Sequence, residues 1–181
     1  MFYILFSVLC LFMKALFIGR FQPFHNGHLK VIEASAKKFD EIIIGIGSSQ
    51  YSDTQENPFT AAERKIMIEK SLRKIGVKNY RIILIPDIHN PPRWVDHVLS
   101  IFSNFDVVVT NNLLTKKLFT EKGFKVLKTE LYKKDKYSGK EIRRKIVKGE
   151  NWKNLVPSEI YDFIKKIDGT ERLKYILKNQ K

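Results

Sequence analysis

Lys14–His28, KALFIGRFQPFHNGH, is the stretch that decides the fold. Lys14–Gly19 is a continuous apolar run that ends on Gly and Arg, the pattern of a strand buried on both faces. From Gly27 to Lys38, and just beyond at Phe39, the apolar residues Leu29, Ile32, Ala36 and Phe39 fall at helical spacing. Between strand and helix lies a short loop with a Gly turn. Such a loop sits where the free amides and the dipole of a helix N-terminus favour an anion. Arg20 leaves the strand end, and His25 and His28 flank the helix entry with Gly27 between them. Three hydrogen-bond donors converging on a helix N-terminus suit a polyphosphate. The plainer use of each histidine is to cap the helix or fill a polar niche.

Outward from this unit, strand and helix keep alternating. Glu41–Gly47 (EIIIGIG) reads as a second buried strand, and a polar loop runs from Ser48 to Phe59. Thr60-Ala61-Ala62-Glu63 has the form of a capping box opening a helix to about Ile75. Tyr80–Pro86 reads as a third strand, Arg93–Asn104 as an amphipathic helix, and Phe105–Thr110 as a fourth strand. A helix from about Leu113 to Lys122, a short strand at Phe124–Leu127 and a charged loop follow. Ser138-Gly139-Lys140-Glu141 is a second capping box, whose helix Gly149 ends, and the tail after Pro157 reads as one or two more helices. The expectation is one α/β domain: a Rossmann-like, doubly wound parallel sheet of about five strands with C-terminal helices. In such sheets ligands bind beyond the carboxyl ends of the strands, so the loops after Gly19, Gly47, Pro86 and Thr110 are where chemistry belongs.

Composition bounds the partners. The chain has 181 residues, 44% of them apolar and 29% charged, which excludes a disordered chain and a multi-span membrane protein. Its net charge of +14 points to an anionic partner, and residues 114–181 carry +11 of it. Residues 1–12, MFYILFSVLCLF, form an uncharged apolar leader too short to span a bilayer, which needs about 20 residues. Met13 reads as the native start, with residues 13–181 as the single domain; a hydrophobic anchor or an extra packed helix is the competing reading of the leader. One cysteine, Cys10, allows no intrachain disulfide and fits a cytoplasmic setting.

Several chemistries are excluded by what is missing. There is no G-x-x-x-x-G-K-[ST], so the chain is no P-loop nucleotidase. Gly45-Ile46-Gly47 lacks the third glycine of the dinucleotide fingerprint. No Cys/His cluster offers a zinc site, and no Ser or Cys sits in a nucleophile-elbow context.

His25-Asn26-Gly27-His28 resembles the (H/T)xGH signature of the nucleotidylyltransferase superfamily. The longer string Gly19–Leu29 (GRFQPFHNGHL) is similar to the archaeal-type nicotinamide-nucleotide adenylyltransferases. The likeness continues at Gly45–Gln50 (GIGSSQ), Asn57–Arg64 (NPFTAAER), Trp94 and Asn111-Asn112. It extends through Tyr137–Arg144 (YSGKEIRR) to Gly149–Pro157 (GENWKNLVP).

The resemblance implies that NMN and ATP give NAD and pyrophosphate by direct in-line attack, without a covalent intermediate. It implies His25, His28 and Arg20 as the catalytic set, and ATP contacts from Gly19, Arg20, Phe21, His25, Gly27, His28, Ser138 and Arg143. It implies NMN contacts from Ser48, Gln50, Trp94 and Asn112, with Trp94 against the nicotinamide ring or, equally, in the core of its helix. Arg144 is left as a solvated helix face. No protein metal site is expected: Gln22 stands where the superfamily has an acidic residue, so Mg²⁺ rests on ATP phosphates and water. Lys140 replaces the usual Thr of the second motif, and His89-Asn90-Pro91-Pro92 departs from the family pattern. A homo-oligomer, a hexamer, follows from the same likeness, with no nucleic-acid and no membrane partner. Two other functions fit the residues: transfer to another phosphate acceptor such as phosphopantetheine, or a basic nucleic-acid-binding module using the +11 tail.

Overall fold

The computed structural model describes residues 12–129 and 137–179; of the leader only Phe12 falls within them, so the reading of residues 1–12 lies outside the described residues. Elements follow in the order β1 (Lys14–Gly19), α1 (Asn26–Ala36), β2 (Glu41–Gly47), α2 (Ala61–Lys74) and β3 (Tyr80–Ile85). Then come α3 (Pro91–Ile101), β4 (Val107–Val109), α4 (Leu113–Glu121), β5 (Lys125–Leu127) and α5 (Gly139–Lys148). A single 3-10 turn at Lys153–Leu155 leads to α6 (Ser158–Lys166) and α7 (Gly169–Asn179). All five strands are parallel, in the order β3-β2-β1-β4-β5. This is the Rossmann-like doubly wound sheet that the strand patterns predict.

Alternate residues of each strand feed two separate cores, as a sheet covered on both faces requires. Ala15, Ile42, Ile44, Ile46, Val107 and Val109 pack with α1, α2, α5, α6 and α7. Leu16, Ile43, Ile85 and Val108 pack with Val95 and Val98 of α3 and Phe119 of α4. The topology reverses at β1, whose neighbours are β2 and β4. Their carboxyl ends diverge there, and the crevice between them is where a ligand site is built.

The structure shifts some boundaries. α3 begins at Pro91, two residues before the predicted start: Asn90 Oδ1 accepts from Arg93 N, and the prolines at the first two positions have no N–H to leave orphaned. It ends at Ile101 because Phe102 is already extended, with φ −157°. β4 shortens to three residues, since Phe105 N turns back onto Ser103 O. The box at Ser138 is half formed. Ser138 Oγ accepts from Glu141 N at 3.2 Å, but the Glu141 carboxylate pairs with Arg144 at 2.8 Å. Among the described residues no helix is long and apolar enough to cross a membrane.

Candidate active site

His25 caps α1, and the two histidines cap each other. His25 Nδ1 accepts from His28 N at 3.3 Å, and His28 Nδ1 accepts from His25 N at 3.4 Å. This is a capping box made of imidazoles in place of hydroxyl and carboxylate. The rings stack with centroids 3.5 Å apart and planes 18° apart. Phe21 and Phe24 pack against His28 at 4.9 and 5.6 Å. An Nδ1 that accepts a hydrogen bond carries no proton, so each ring takes the Nε2–H tautomer. Burial pushes the His25 pKa down to about 4 and the His28 pKa well below its ordinary value, with the neighbouring His25 lowering His28 further. The pair is therefore neutral at pH 7 and offers two Nε2–H donors. The only buried side-chain polar atom without a partner among the described residues is Asn57 Oδ1. Gly27 fits closely between the two histidines: a Cβ there would meet His25 Nδ1 and the Tyr137 Cβ, each at 3.1 Å, so a neighbour would have to give by a few tenths of an ångström.

Beside this pair Arg20 stands between two cavities. One, of about 630 Å³, is lined by Arg20, Glu56, Ser138, Lys140 and Arg143 among others. The other, of about 570 Å³, is lined by Gly19, Arg20, Ser48, His89, Trp94 and Asn112 among others. The first is the cationic one. Arg143 Nη1 donates to Gln22 O at 2.7 Å, which fastens α5 to the loop after β1. A Cβ on Gly139 would lie 2.7 Å from that same carbonyl, so the close approach of α5 needs glycine. Burial and the nearby Arg20 lower the Arg143 pKa, a sign that positive charge is crowded here. Glu56 answers part of it, bonded to Arg20 at 2.9 Å and itself held below the usual carboxylate range by Arg20. Arg144 also lines this cavity, but it is held in a double fork to Glu141 and Glu150 at 2.7–2.8 Å; it is an ion-paired side chain, not the freely solvated one that the sequence suggests.

The second cavity gathers Ser48, Trp94 and Asn112. The Trp94 ring meets Phe119 edge-on at 5.7 Å in the smaller core, and the residue also lines this cavity. Asn112 Oδ1 accepts from Thr115 N as the α4 cap, which leaves its amide N–H groups for a ligand. Gln50 is not in this lining; its amide bonds the neighbouring loop, donating to Asp87 O at 2.7 Å and accepting from Asp87 N at 2.9 Å. It fixes the loop after β3, as Tyr51 does through a 2.6 Å bond to His89 Nε2. The Phe21 ring is fully buried, which leaves its main chain as the part able to meet a ligand. Gln22 is buried too, and its amide exchanges two bonds with the Phe59 main chain.

Sequence reasoning missed Glu56, Tyr51 and Arg64. The first two sit in a polar loop with no periodicity to mark them. Arg64 did carry a signal: it shares the helical spacing of Met67, Ile68, Ser71 and Leu72, the buried side of α2, where a cation is out of place.

A cytidylyltransferase-like family model matches residues 16–145. A nicotinamide-nucleotide adenylyltransferase of Archaeoglobus fulgidus is 48% identical over 169 residues, covering 91% of this chain and 97% of that protein. The namesake protein of Methanococcus vannielii is 50% identical over 90% of this chain and 94% of its own length. The chain belongs to the nicotinamide-nucleotide adenylyltransferases. Among solved structures it is similar to a bifunctional NMN adenylyltransferase/ADP ribose pyrophosphatase of Francisella tularensis, crystallised with AMP and a manganese ion. There the TM-score is 0.76 at 25% identity, over 93% of this chain and 53% of that one. In this chain the His25-Asn26-Gly27-His28 motif opens α1, after the loop that follows β1. Among the described residues no group of three His, Cys, Asp or Glu could hold a metal ion.

Proposed function

We propose that this adenylyltransferase joins NMN to ATP, giving NAD and pyrophosphate, by one direct displacement. A phosphate oxygen of NMN attacks the α-phosphorus of ATP in line. The new P–O bond forms as the bond to the β-phosphate breaks, and pyrophosphate leaves with that electron pair. No protein nucleophile is needed, and catalysis is positioning and charge stabilisation. The observation that carries this reading is Arg20 standing at the junction of the two cavities. Its guanidinium can bridge the donor's phosphates and the acceptor's phosphate while keeping the reacting groups adjacent.

The cationic cavity takes the triphosphate, with the β- and γ-phosphates on Ser138, Arg143 and the N-terminus of α5. The second cavity takes NMN, with Trp94 as the flat surface for the nicotinamide ring and Ser48 and Asn112 as its polar contacts. His25 and His28 supply Nε2–H bonds to the reacting phosphates, and as neutral donors they need no protonation step. The divalent cation, magnesium, arrives as part of the nucleotide substrate. Magnesium would be held by the nucleotide phosphates and water.

The assembly we expect is a cytoplasmic homo-hexamer that binds neither nucleic acid nor membrane. Exposed Leu113 and Leu114 at the start of α4 support a covered surface, and light scattering on the purified protein measures the stoichiometry.

The acceptor is tested by turnover with ATP and, in turn, NMN, deamido-NMN and phosphopantetheine. The expected result is NAD from NMN. Turnover with phosphopantetheine alone would transfer the same site to another acceptor.

A further inference from the structure

Arg64 is fully buried in α2, yet every hydrogen bond of its guanidinium among the described residues ends on a main-chain carbonyl and none on a carboxylate. Nη1 donates to Arg20 O at 3.0 Å and Gly47 O at 2.8 Å. Nη2 donates to Ser48 O at 3.2 Å and Tyr51 O at 3.5 Å, and Nε to Thr60 O at 3.2 Å. These acceptors are not an arbitrary set. The β1–β2 ladder ends at the pair Gly19–Ile46, so Arg20 O and Gly47 O lie one step beyond it, at the carboxyl ends of the two strands. The residue after one of these carbonyls and the residue that owns the next are in the left-handed region without being glycine: Phe21 at φ 52° and Ser48 at φ 48°. Side-chain residues held in that region are strained, and they persist only where the surroundings over-determine them.

We propose that Arg64 is a positioning residue for adenylyl transfer: from beneath the crevice it ties the loop carrying Arg20 to the loop carrying Ser48, and so fixes the distance between the nucleotide half-site and the acceptor half-site. This rests on the two-cavity reading given above. The geometry singles out arginine, since five donors in a planar fork serve three segments at once and the three donors of a lysine ammonium do not. The buried charge has a second effect. Its pKa is lowered to about 10 by burial and by Arg20, so it stays cationic at neutral pH and adds to the positive potential under the phosphates.

The test compares wild type, Arg64→Lys and Arg64→Ala at a temperature where circular dichroism finds each fully folded. The expected result for Arg64→Lys is a kcat lower by ~100-fold, the scale on which a misplaced reacting group slows transfer. Calorimetric affinities for ATP alone and NMN alone should change by less than about fivefold, since each half-site survives and only their separation is lost. Guanidinium ion at low concentration should restore part of the kcat of Arg64→Ala by refilling the fork. A merely structural arginine would lower the melting temperature and leave kcat per folded molecule intact. Near-wild-type kcat in the folded variants, a loss confined to KM, or failure of both variants to fold would each overturn the assignment. No NAD from the wild type itself would overturn the assigned reaction, a separate failure.

Discussion

The paired imidazoles make a prediction that distinguishes donors from acids. If His25 and His28 are locked as Nε2–H tautomers by their bonds to each other's amides, nitrogen-15 spectra of the side chains should show that tautomer in both, with no titration near pH 6.5. A midpoint near 6.5 for either ring would contradict the lock. The sign for stability follows. Both folded-state values are depressed, so their contribution is whole above the unfolded value of about 6.5 and is lost as pH falls toward 4 for His25. His28→Ala should lower kcat by about 10²–10³, the cost of removing one donor to developing charge, while the fold survives. Near-normal kcat would refute its role. Arg20→Ala should weaken both substrates, lowering kcat/KM by about 10- to 100-fold for each, because it borders both cavities. A loss confined to ATP would place Arg20 on one side only. At this scale the sequence made legible that His25, Gly27 and His28 open α1 and that Arg143 lies in the first turns of α5. The bond between Gln50 and Asp87 was not legible, since no pattern in the chain says which neighbour a loop amide will meet.

Among the elements, α5 has the most exposed dependence on a single position. It approaches the loop after β1 so closely that a Cβ at residue 139 would overlap the Gln22 carbonyl, which Arg143 also uses. Gly139→Ala should therefore displace α5, cost about 1–3 kcal/mol of stability and raise the KM for ATP more than that for NMN. Denaturant melts and paired KM values check it; an unchanged KM for ATP would detach α5 from the triphosphate. Periodicity announced α5 and its Ser138 cap, yet not the diversion of Glu141 to Arg144, because a capping carboxylate and an i,i+3 ion pair look alike in sequence. α3 shows the same limit. Pro91 and Pro92 read as a loop until Asn90 is seen to cap them, since both prolines are permitted in a first turn.

At the level of the whole molecule, apolar runs at β1, β2 and β4 alternate their residues between two cores. Because both faces are covered, those runs are apolar throughout, and their succession with helical patterns is why the doubly wound sheet was readable without coordinates. Ile43, buried between β2 and α3, belongs to the smaller core, and Ile43→Ala should cost about 2–5 kcal/mol in a denaturant melt. Strand order was not readable, because the reversal at β1 is a property of how crossovers pack and leaves no mark on any one segment. The reversal is also what opens the crevice, so the site's location depends on the least legible feature of the fold. The +14 charge becomes more specific in the same light: Arg20 and Arg143 crowd one cavity, while Arg144, Arg172 and many lysines are spent on carboxylates at the surface. The central claim, that one crevice brings acceptor phosphate and α-phosphorus together for a single in-line displacement, is tested most directly by stereochemistry. With NMN and a single diastereomer of adenosine 5′-O-(1-thiotriphosphate), the configuration at phosphorus in the thio-NAD product can be read by phosphorus NMR. Inversion is the predicted result, and retention, the mark of a covalent adenylyl-enzyme, would contradict it.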